Sequence, residues 1–299
     1  MKQHFELRKL RDFGQVFNDS FIFFKENLKP LMRSLFVICG ALMLISAVSS
    51  ISTYLNVTKG FNFQPGATTY DVERHTFSYM IGIFITALIF SVTQACINLT
   101  TLCYISVYLQ NKGAEPSVVQ VWGFFKYYFW RVFGSSILLG ILAGIGFVFC
   151  ILPGIYLGIV FSLTIPIMVM ENAAFGYAFN KSFTLIRSNW WFVFGVLIVM
   201  IIILIIANSM AGIPLGLSPV LGRLISNTAI TTPVIVFCSI LRSLLLVTYS
   251  IPVIAVALCY FDLSEQKDGT GLLSRIEQFG MAEPAAAQEE PGEENAEEY

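Results

Sequence analysis

The sequence predicts an all-α polytopic membrane protein, with six transmembrane helices in three hairpins and a cytoplasmic amphipathic helix before each hairpin. Apolar residue types make up 56 % of the 299 residues and charged types 12 %, against about 25 % charged residues in soluble domains. The mean hydropathy is +0.73, and several apolar runs are long enough to cross a bilayer. This composition excludes a soluble globular domain, a disordered chain and a nucleic-acid-binding protein.

The apolar runs divide the chain into three predicted parts. An amphipathic N-terminal helix falls within residues 1–30, a six-span membrane domain covers 31–262, and an acidic tail covers 263–299. About 20 helical residues cross about 30 Å of hydrocarbon, and each run approaches or exceeds that length. The predicted spans lie near 31–54, 79–109, 132–152, 155–170, 191–211 and 239–261.

Charge is distributed unevenly along the chain. Residues 1–263 hold 16 basic and 9 acidic side chains, a balance of +7, whereas residues 264–299 hold 2 and 10, a balance of −8. With the predicted spans, 14 Lys and Arg fall on the side of the termini and 3 on the other side. Because cytoplasmic loops are enriched in Lys and Arg, we expect both termini to be cytoplasmic. The acidic tail is too poor in apolar residues to fold, so it stays solvated or recruits a basic partner.

An internal repeat relates two segments that lie 162 residues apart. Residues 18–27 read Asn-Asp-Ser-Phe-Ile-Phe-Phe-Lys-Glu-Asn, and residues 180–189 read Asn-Lys-Ser-Phe-Thr-Leu-Ile-Arg-Ser-Asn. Four positions are identical and one retains its positive charge. A weaker third copy lies between them, since Trp-Arg-Val-Phe-Gly at 130–134 matches Trp-Phe-Val-Phe-Gly at 191–195. We therefore predict three units, each an amphipathic helix followed by a two-span hairpin.

The first copy of the repeat has the pattern of an amphipathic helix. Apolar residues recur at steps of three and four, and polar residues fill much of the remaining circumference, which is typical of a helix in the headgroup plane. Equivalent helices are predicted at 118–133 and 175–189. The three helices either anchor and orient the hairpins or form a collar that senses lipid. The apolar stripe of the first helix consists of Phe13, Phe17, Phe21, Phe24 and Leu28.

Small residues and prolines predict a tight hairpin between the third and fourth spans. Pro153 and Gly154 separate the two spans and predict the reversal of the chain. Gly140 and Gly144 are one helical turn apart in the third span, and small residues at that spacing permit close approach of membrane helices. Pro166 lies within the fourth span and predicts a kink.

A stripe of polar residues follows one face of the second span. Ser91, Gln94, Asn98 and Thr101 recur at steps of three and four, so they share a helix face. Unsatisfied amides in hydrocarbon are costly, and the stripe should therefore face other helices. Asn208 of the fifth span is a candidate partner. The stripe either forms interhelical hydrogen bonds or lines a hydrated cavity or substrate path.

Two charged residues fall close to or within the predicted spans. Glu171 ends the fourth span, and Lys181 and Arg187 on the following helix are its nearest cationic partners in sequence. An interfacial salt bridge and a proton or ion site are both compatible with this carboxylate. Arg242 either lies deep in a sixth span that starts at Pro233 or snorkels at the outer surface. In the second case, residues 212–240 form an outer cap or a re-entrant segment.

The order of several motifs resembles a known membrane-domain family. Residues 152–157 read Leu-Pro-Gly-Ile-Tyr-Leu, residues 165–171 read Ile-Pro-Ile-Met-Val-Met-Glu, and residues 178–185 read Ala-Phe-Asn-Lys-Ser-Phe-Thr-Leu. Together with the segment 191–195, they resemble the membrane domain found with glycerophosphodiester phosphodiesterases and in stand-alone bacterial inner-membrane proteins of the YciC type. The resemblance implies a six-span protein of the bacterial plasma membrane. It implies no catalysis, since the phosphodiesterase barrel and its metal-binding carboxylates have no counterpart in this sequence.

The function expected from the sequence is non-enzymatic. We expect a structural or accessory subunit in envelope maintenance, in contact with the lipid bilayer and with other membrane subunits or a second copy. The alternative is a transporter or lipid-handling protein with a polar intramembrane cavity, and an intramembrane enzyme ranks third. No cofactor and no metal are expected, because the six cysteines lie singly in apolar runs and only two histidines are present.

Overall fold

The computed structural model describes residues 6–61, 69–225 and 228–268, and these contain helices and no β-strand. Six helical stretches are long and apolar enough to cross a membrane, so the predicted all-α polytopic fold is confirmed. The helices are α1 (Phe13–Glu26), α2 (Leu28–Phe61), α3 (Thr69–Gln110), α4 (Val118–Phe149), α5 (Ile151–Met170), α6 (Phe175–Ile225), α7 (Thr228–Leu245) and α8 (Ser250–Asp268), with a 3₁₀ helix at Leu246–Tyr249.

Helices α1 and α6 begin and break at positions that are 162 residues apart. They start at Phe13 and Phe175, and helical geometry is lost at Asn27 (φ −99°, ψ 11°) and again at Asn189 (φ −124°, ψ 27°). The side-chain amide of Asn27 donates to the carbonyl of Phe23 at 3.0 Å. Asparagine favours such breaks because its side chain competes for backbone hydrogen bonds.

Residues 118–133 are helical, as predicted, but no break separates them from the third predicted span. Helix α4 runs without interruption from Val118 to Phe149 and includes most of the third predicted span. The physical reason lies in the repeat, because Tyr128 occupies the position at which the other two copies have a helix-breaking asparagine. Residues 212–240, predicted as an outer cap or a re-entrant segment, belong to the last part of α6, which ends at Ile225, and to α7, which begins at Thr228.

The sixth predicted span, 239–261, is divided between two helices. The 3₁₀ helix at Leu246–Tyr249 separates α7 from α8. The membrane-spanning candidate extends from Thr231 to Lys267 and includes both helices. Arg242 therefore belongs to α7, which precedes the 3₁₀ helix, and not to α8.

The chain reverses between α4 and α5 at Cys150, three residues before the predicted Pro153–Gly154 turn. Cys150 has an extended backbone (φ −168°, ψ 145°) and precedes the first residue of α5. Pro153 thus falls in the first turn of α5, where its missing N–H costs no helical hydrogen bond. The prolyl residue starts a helix here and does not form the turn, which corrects the prediction.

Close packing in this hairpin involves Gly146 and Gly154. A Cβ added at Gly154 would lie 2.9 Å from the Cα of Phe147, and one at Gly146 would lie 3.2 Å from the Cα of Gly154. The predicted packing role of Gly140 and Gly144 was wrong, because a Cβ at either position would meet no atom within 4 Å. Both glycines lie on a face of α4 that points away from α5.

Helix α8 forms the centre of the bundle. Every residue from Ile254 to Leu263 is buried, including Asp262. The neighbours of α8 are α1, α3, α5 and α6, and its side chains join one apolar cluster that extends over most of the chain described. A helix that is apolar around its circumference is stable only when other helices enclose it.

Two ends of the bundle can be distinguished. The "α1 end" holds α1, the end of α3 and the end of α8, as shown by the hydrogen bond from Tyr104 Oη to Asn27 Oδ1 at 3.0 Å. The "distal end" holds the Cys150 turn and the contact between α2 and α7. Helix α1 buries Val16, Ser20 and Phe23 against the bundle. The apolar stripe predicted from the sequence is centred about a quarter turn around the helix from this buried face. Two residues of the stripe, Phe13 and Phe21, therefore remain exposed.

Substitution of Gly154 by Ala should destabilise the α4–α5 hairpin, because the new methyl group would overlap the backbone of Phe147. Overpacking of this kind costs about 1–3 kcal/mol. Gly144→Ala is the matched control: it has open space, and replacement of Gly by Ala in a helix gains up to about 1 kcal/mol. Thermal unfolding of the purified variants in detergent measures both changes. Equal unfolding temperatures for the two variants would contradict the close packing at Gly154.

Candidate functional site

Three of the polar residues predicted from the sequence line one cavity, which lies between helices and opens to the surface of the bundle. Gln94 and Asn98 of α3 and Asn208 of α6 lie around a cavity of about 380 Å³ that also contacts the start of α8. Gln94 and Asn98 in addition line an adjoining cavity of about 420 Å³ between α3, α4, α5 and α8. We call the two together the central cavity. The stripe thus faces other helices, as its spacing predicts.

Thr101, the fourth residue of the predicted site, lies outside the central cavity. Its side chain is fully buried, and its hydroxyl donates to the carbonyl of Ile97 in its own helix at 2.8 Å. Thr93 and Thr100 do the same with the carbonyls four residues before them. Hydroxyls in a membrane helix are readily satisfied in this way, so Thr101 needs no partner from another helix.

Asn98 is the polar residue of the cavity whose hydrogen bonding is incomplete. Its side-chain oxygen Oδ1 is buried and has no hydrogen-bond partner in the described part of the chain. A buried acceptor without a partner costs about 1–3 kcal/mol. Trp190 Nε1 and Ser239 Oγ also lack a partner among the described residues, but neither residue lines the central cavity. At a cavity, an acceptor without a partner points to a donor that comes from outside the chain.

The remaining polar lining of the central cavity is neutral. Ser91, Ser136 and Ser162 contribute hydroxyls, and the described lining residues include no Lys, Arg, Asp, Glu or His. Pro166 lacks an N–H, so the carbonyl of Ser162 loses its partner in α5, and both residues line the cavity. The predicted interruption of the fourth span therefore places an additional acceptor at the cavity. Apolar side chains form most of the wall.

The central cavity lies within the hydrocarbon layer, in the half that is farther from the α1 end. Asn98 and Gln94 are 12 and 16 residues from Gln110, where α3 ends. At 1.5 Å per residue, they lie about 18–24 Å from the α1 end, within a hydrocarbon layer about 30 Å thick. At this depth neutral hydrogen-bonding groups are far less costly than charges.

Glu171 forms the core of a second polar cluster, at the α1 end. Lys181 Nζ lies 2.7 Å from Glu171 Oε1, and the hydroxyl of Tyr260 donates to the same oxygen. Of the two cations that the sequence offers, the structure pairs Lys181 with Glu171, whereas Arg187 is exposed to the surroundings. Arg8 lines the same small cavity of about 180 Å³. The cluster connects the end of α5 to α6 and α8.

The sequence analysis missed a third cluster, around Arg11 and Asp262. Asp262 is fully buried and accepts hydrogen bonds from the backbone N–H of Arg11 at 2.9 Å and from Gln266 at 3.0 Å. The buried guanidinium of Arg11 donates to Asp19 at 2.8 Å and to the carbonyl of Leu7 at 2.7 Å. An aspartate at the end of a long apolar run was the available signal, since such a carboxylate needs a partner.

Comparison with known proteins finds no matching family model, curated protein or solved structure. Within the described residues, no three His, Cys, Asp or Glu side chains are grouped so as to hold a metal ion. The site is thus a neutral, mostly apolar cavity with amide and hydroxyl groups, placed within the hydrocarbon layer of a polytopic helical membrane protein.

Proposed function

We propose that this protein handles lipid: the central cavity binds the neutral polar part of a lipid or lipid-like molecule, without a catalytic step. The observation that carries the proposal is the buried oxygen of Asn98, which has no hydrogen-bond partner in the described residues at the wall of this cavity. A hydroxyl or amide N–H of a bound molecule supplies the missing donor. Because this oxygen is buried in the ligand-free structure, the proposal includes a rotation of the terminal amide of Asn98 when the ligand binds.

The composition of the cavity wall favours an amphipathic ligand. Mostly apolar walls accommodate acyl chains, and a few convergent polar groups fix the orientation of the ligand, as in other small-molecule sites. The wall carries no charge that would stabilise an ion at this depth. A purely accessory role explains neither the cavity nor the incomplete hydrogen bonding of Asn98. Lipid handling explains both, and we therefore favour it over an accessory role.

Sidedness and family are part of the same proposal. The α1 end faces the cytoplasm, which is supported by the excess of Lys and Arg on that side. The exposed aromatic residues Phe13 and Phe21 of α1 then lie in the headgroup layer, and α1 is an interfacial amphipathic helix. Shared helix starts and breaks in α1 and α6 support an internal repeat. The proposed setting is a bacterial plasma membrane, in the family that the 152–195 motifs resemble.

The substitution Asn98→Leu should abolish ligand retention without loss of stability. Removal of the unpartnered oxygen relieves about 1–3 kcal/mol of desolvation cost in the ligand-free protein, so the variant should unfold at the same temperature or higher. The measurement is native mass spectrometry of protein extracted from membranes in a mild detergent, combined with thermal unfolding. We expect bound lipid on the unmodified chain and at least about tenfold less on the variant.

Thr101→Val is the matched control for this experiment. It removes a buried polar group one helical turn away on the same helix, outside the cavity. We expect this variant to keep its bound lipid. Equal lipid retention by Asn98→Leu and the unmodified protein would refute the proposed function, and so would a loss of retention in both variants, since that would indicate a general packing defect.

Cysteine labelling tests the proposed sidedness. Cys150 is the exposed one of the six cysteines, so it is first changed to Ser. In that background, Ala114→Cys in the exposed α3–α4 connection should react with a membrane-impermeant maleimide only after the cells are permeabilised. Asn62→Cys, in the polar stretch after the first predicted span, should react in intact cells. The reverse labelling pattern would show that the α1 end faces outwards.

A further inference from the structure

Arg242 lies at a cavity that is separate from the proposed lipid site. This distal cavity of about 450 Å³ lies between α2, α3, α6 and α7, and several hydroxyl-bearing residues line it. The guanidinium Nη1 donates to the hydroxyl of Tyr54 at 3.0 Å. Its Cζ lies 5.3 Å from the centre of the Phe90 ring. The hydroxyl-bearing residues of the lining are Ser50, Thr53, Tyr54, Tyr79, Thr86 and Ser91.

These contacts hold the guanidinium in place and leave most of its donors for a ligand. A guanidinium has five N–H donors in one plane, and the Tyr54 hydroxyl accepts from one of its nitrogens. Phe90 covers a face of the group, where no N–H points. The hydroxyl of Thr86 lies 2.8 Å from the hydroxyl of Ser49 and 2.8 Å from that of Thr53. These two hydrogen bonds fix this wall of the cavity.

No carboxylate of the described residues forms an ion pair with Arg242. The acidic residues whose side chains the structure describes lie at the α1 end or in the α3–α4 connection. The nearest acids in sequence on α3 are at positions 71 and 73, and the helix backbone there lies about 25 Å or more along α3 from Phe90. An arginine without an acidic partner, half-buried in a cavity of a membrane protein, is by default a candidate binding group.

The depth of Arg242 places it at the level of lipid headgroups. Phe90 is 20 residues from Gln110 along an uninterrupted helix, which corresponds to about 30 Å. This distance equals the thickness of the hydrocarbon layer. We take Gln110 as the start of the hydrocarbon layer within the Phe77–Gln110 candidate span, which puts the guanidinium beside Phe90 at the opposite edge of the layer. Exposed apolar residues of α2 and α3 flank the cavity on the membrane side, for example Ile83.

We infer that Arg242 binds an anionic phosphate ester at the distal end of the bundle. The planar fork of arginine matches two phosphate oxygens, and guanidinium groups are weakly hydrated, which suits a site at the edge of the hydrocarbon. The phosphate belongs to a lipid headgroup or to a soluble phosphate ester. The inference goes beyond the proposed function, because binding at Arg242 does not require the central cavity. The two cavities meet at Ser91, which lines both.

The test measures binding to the full-length chain in nanodiscs of neutral phosphatidylcholine. One arm adds phosphatidylglycerol, and the other adds soluble glycerol 3-phosphate. Arg242→Gln should weaken binding of the phosphate ester by about tenfold or more, because charge-assisted hydrogen bonds are lost. Tight binding in the first arm alone identifies a lipid headgroup, and comparable binding in the second identifies a soluble ester. Unchanged binding by Arg242→Gln in both arms, or no saturable binding by the unmodified chain, would overturn the inference.

Three further variants make the result specific. Arg187→Gln removes an exposed cation at the α1 end and should leave the binding unchanged. Arg242→Lys keeps the positive charge but lacks the planar guanidinium, so its affinity for the phosphate ester should be intermediate. This variant also tests the inference if Arg242→Gln fails to fold. Asn98→Leu should bind the phosphate ester normally. A loss of binding in Arg187→Gln equal to that in Arg242→Gln would show that the ester is attracted by net charge and has no site at Arg242.

Discussion

The satisfaction of backbone and side-chain hydrogen bonds in a medium without water governs this structure. Hydrocarbon offers no partners to exposed N–H and C=O groups, so the apolar runs form helices. Helix α8 is the clearest case, because its residues from Ile254 to Leu263 are buried by other helices. The threonines of α3 follow the same requirement and bond to carbonyls of their own helix. Of the three buried polar atoms without a partner in the described residues, the oxygen of Asn98 is the one whose residue lines the central cavity.

Polar groups are arranged by depth. At the α1 end, Glu171 pairs with Lys181 and Arg11 pairs with Asp19, and the buried carboxylate of Asp262 accepts the backbone N–H of Arg11. Within the hydrocarbon layer the wall of the central cavity is neutral, and at the distal end Arg242 has an aromatic and a phenolic neighbour but no acid among the described residues. This gradient agrees with the cost of a charge, which is highest at mid-membrane. It also separates the two proposed binding chemistries, a neutral one at the central cavity and an anionic one at the distal end.

Sequence periodicity was sufficient for the helical class, the polar stripe and the pairing of Glu171, because these depend on local spacing and on the hydrocarbon as solvent. The periodicity did not predict features that depend on contacts between two helices. The reversal at Cys150, the packing of Gly146 on Gly154 and the open space at Gly144 depend on how two helices lie against each other. The pairing of Arg11 with Asp262 joins residues 251 positions apart, and no local pattern specifies such a contact.

The lipid-handling account depends on what occupies the central cavity in a membrane. The most direct measurement is a density map of the full-length protein in lipid nanodiscs, at a resolution that shows ordered lipid and water. The account predicts non-protein density between α3, α6 and α8, with a polar atom within hydrogen-bond distance of Asn98 Oδ1 and an acyl chain along the apolar wall. An empty cavity closed by side chains, or the Asn98 oxygen bonded to another residue of this chain, would contradict it.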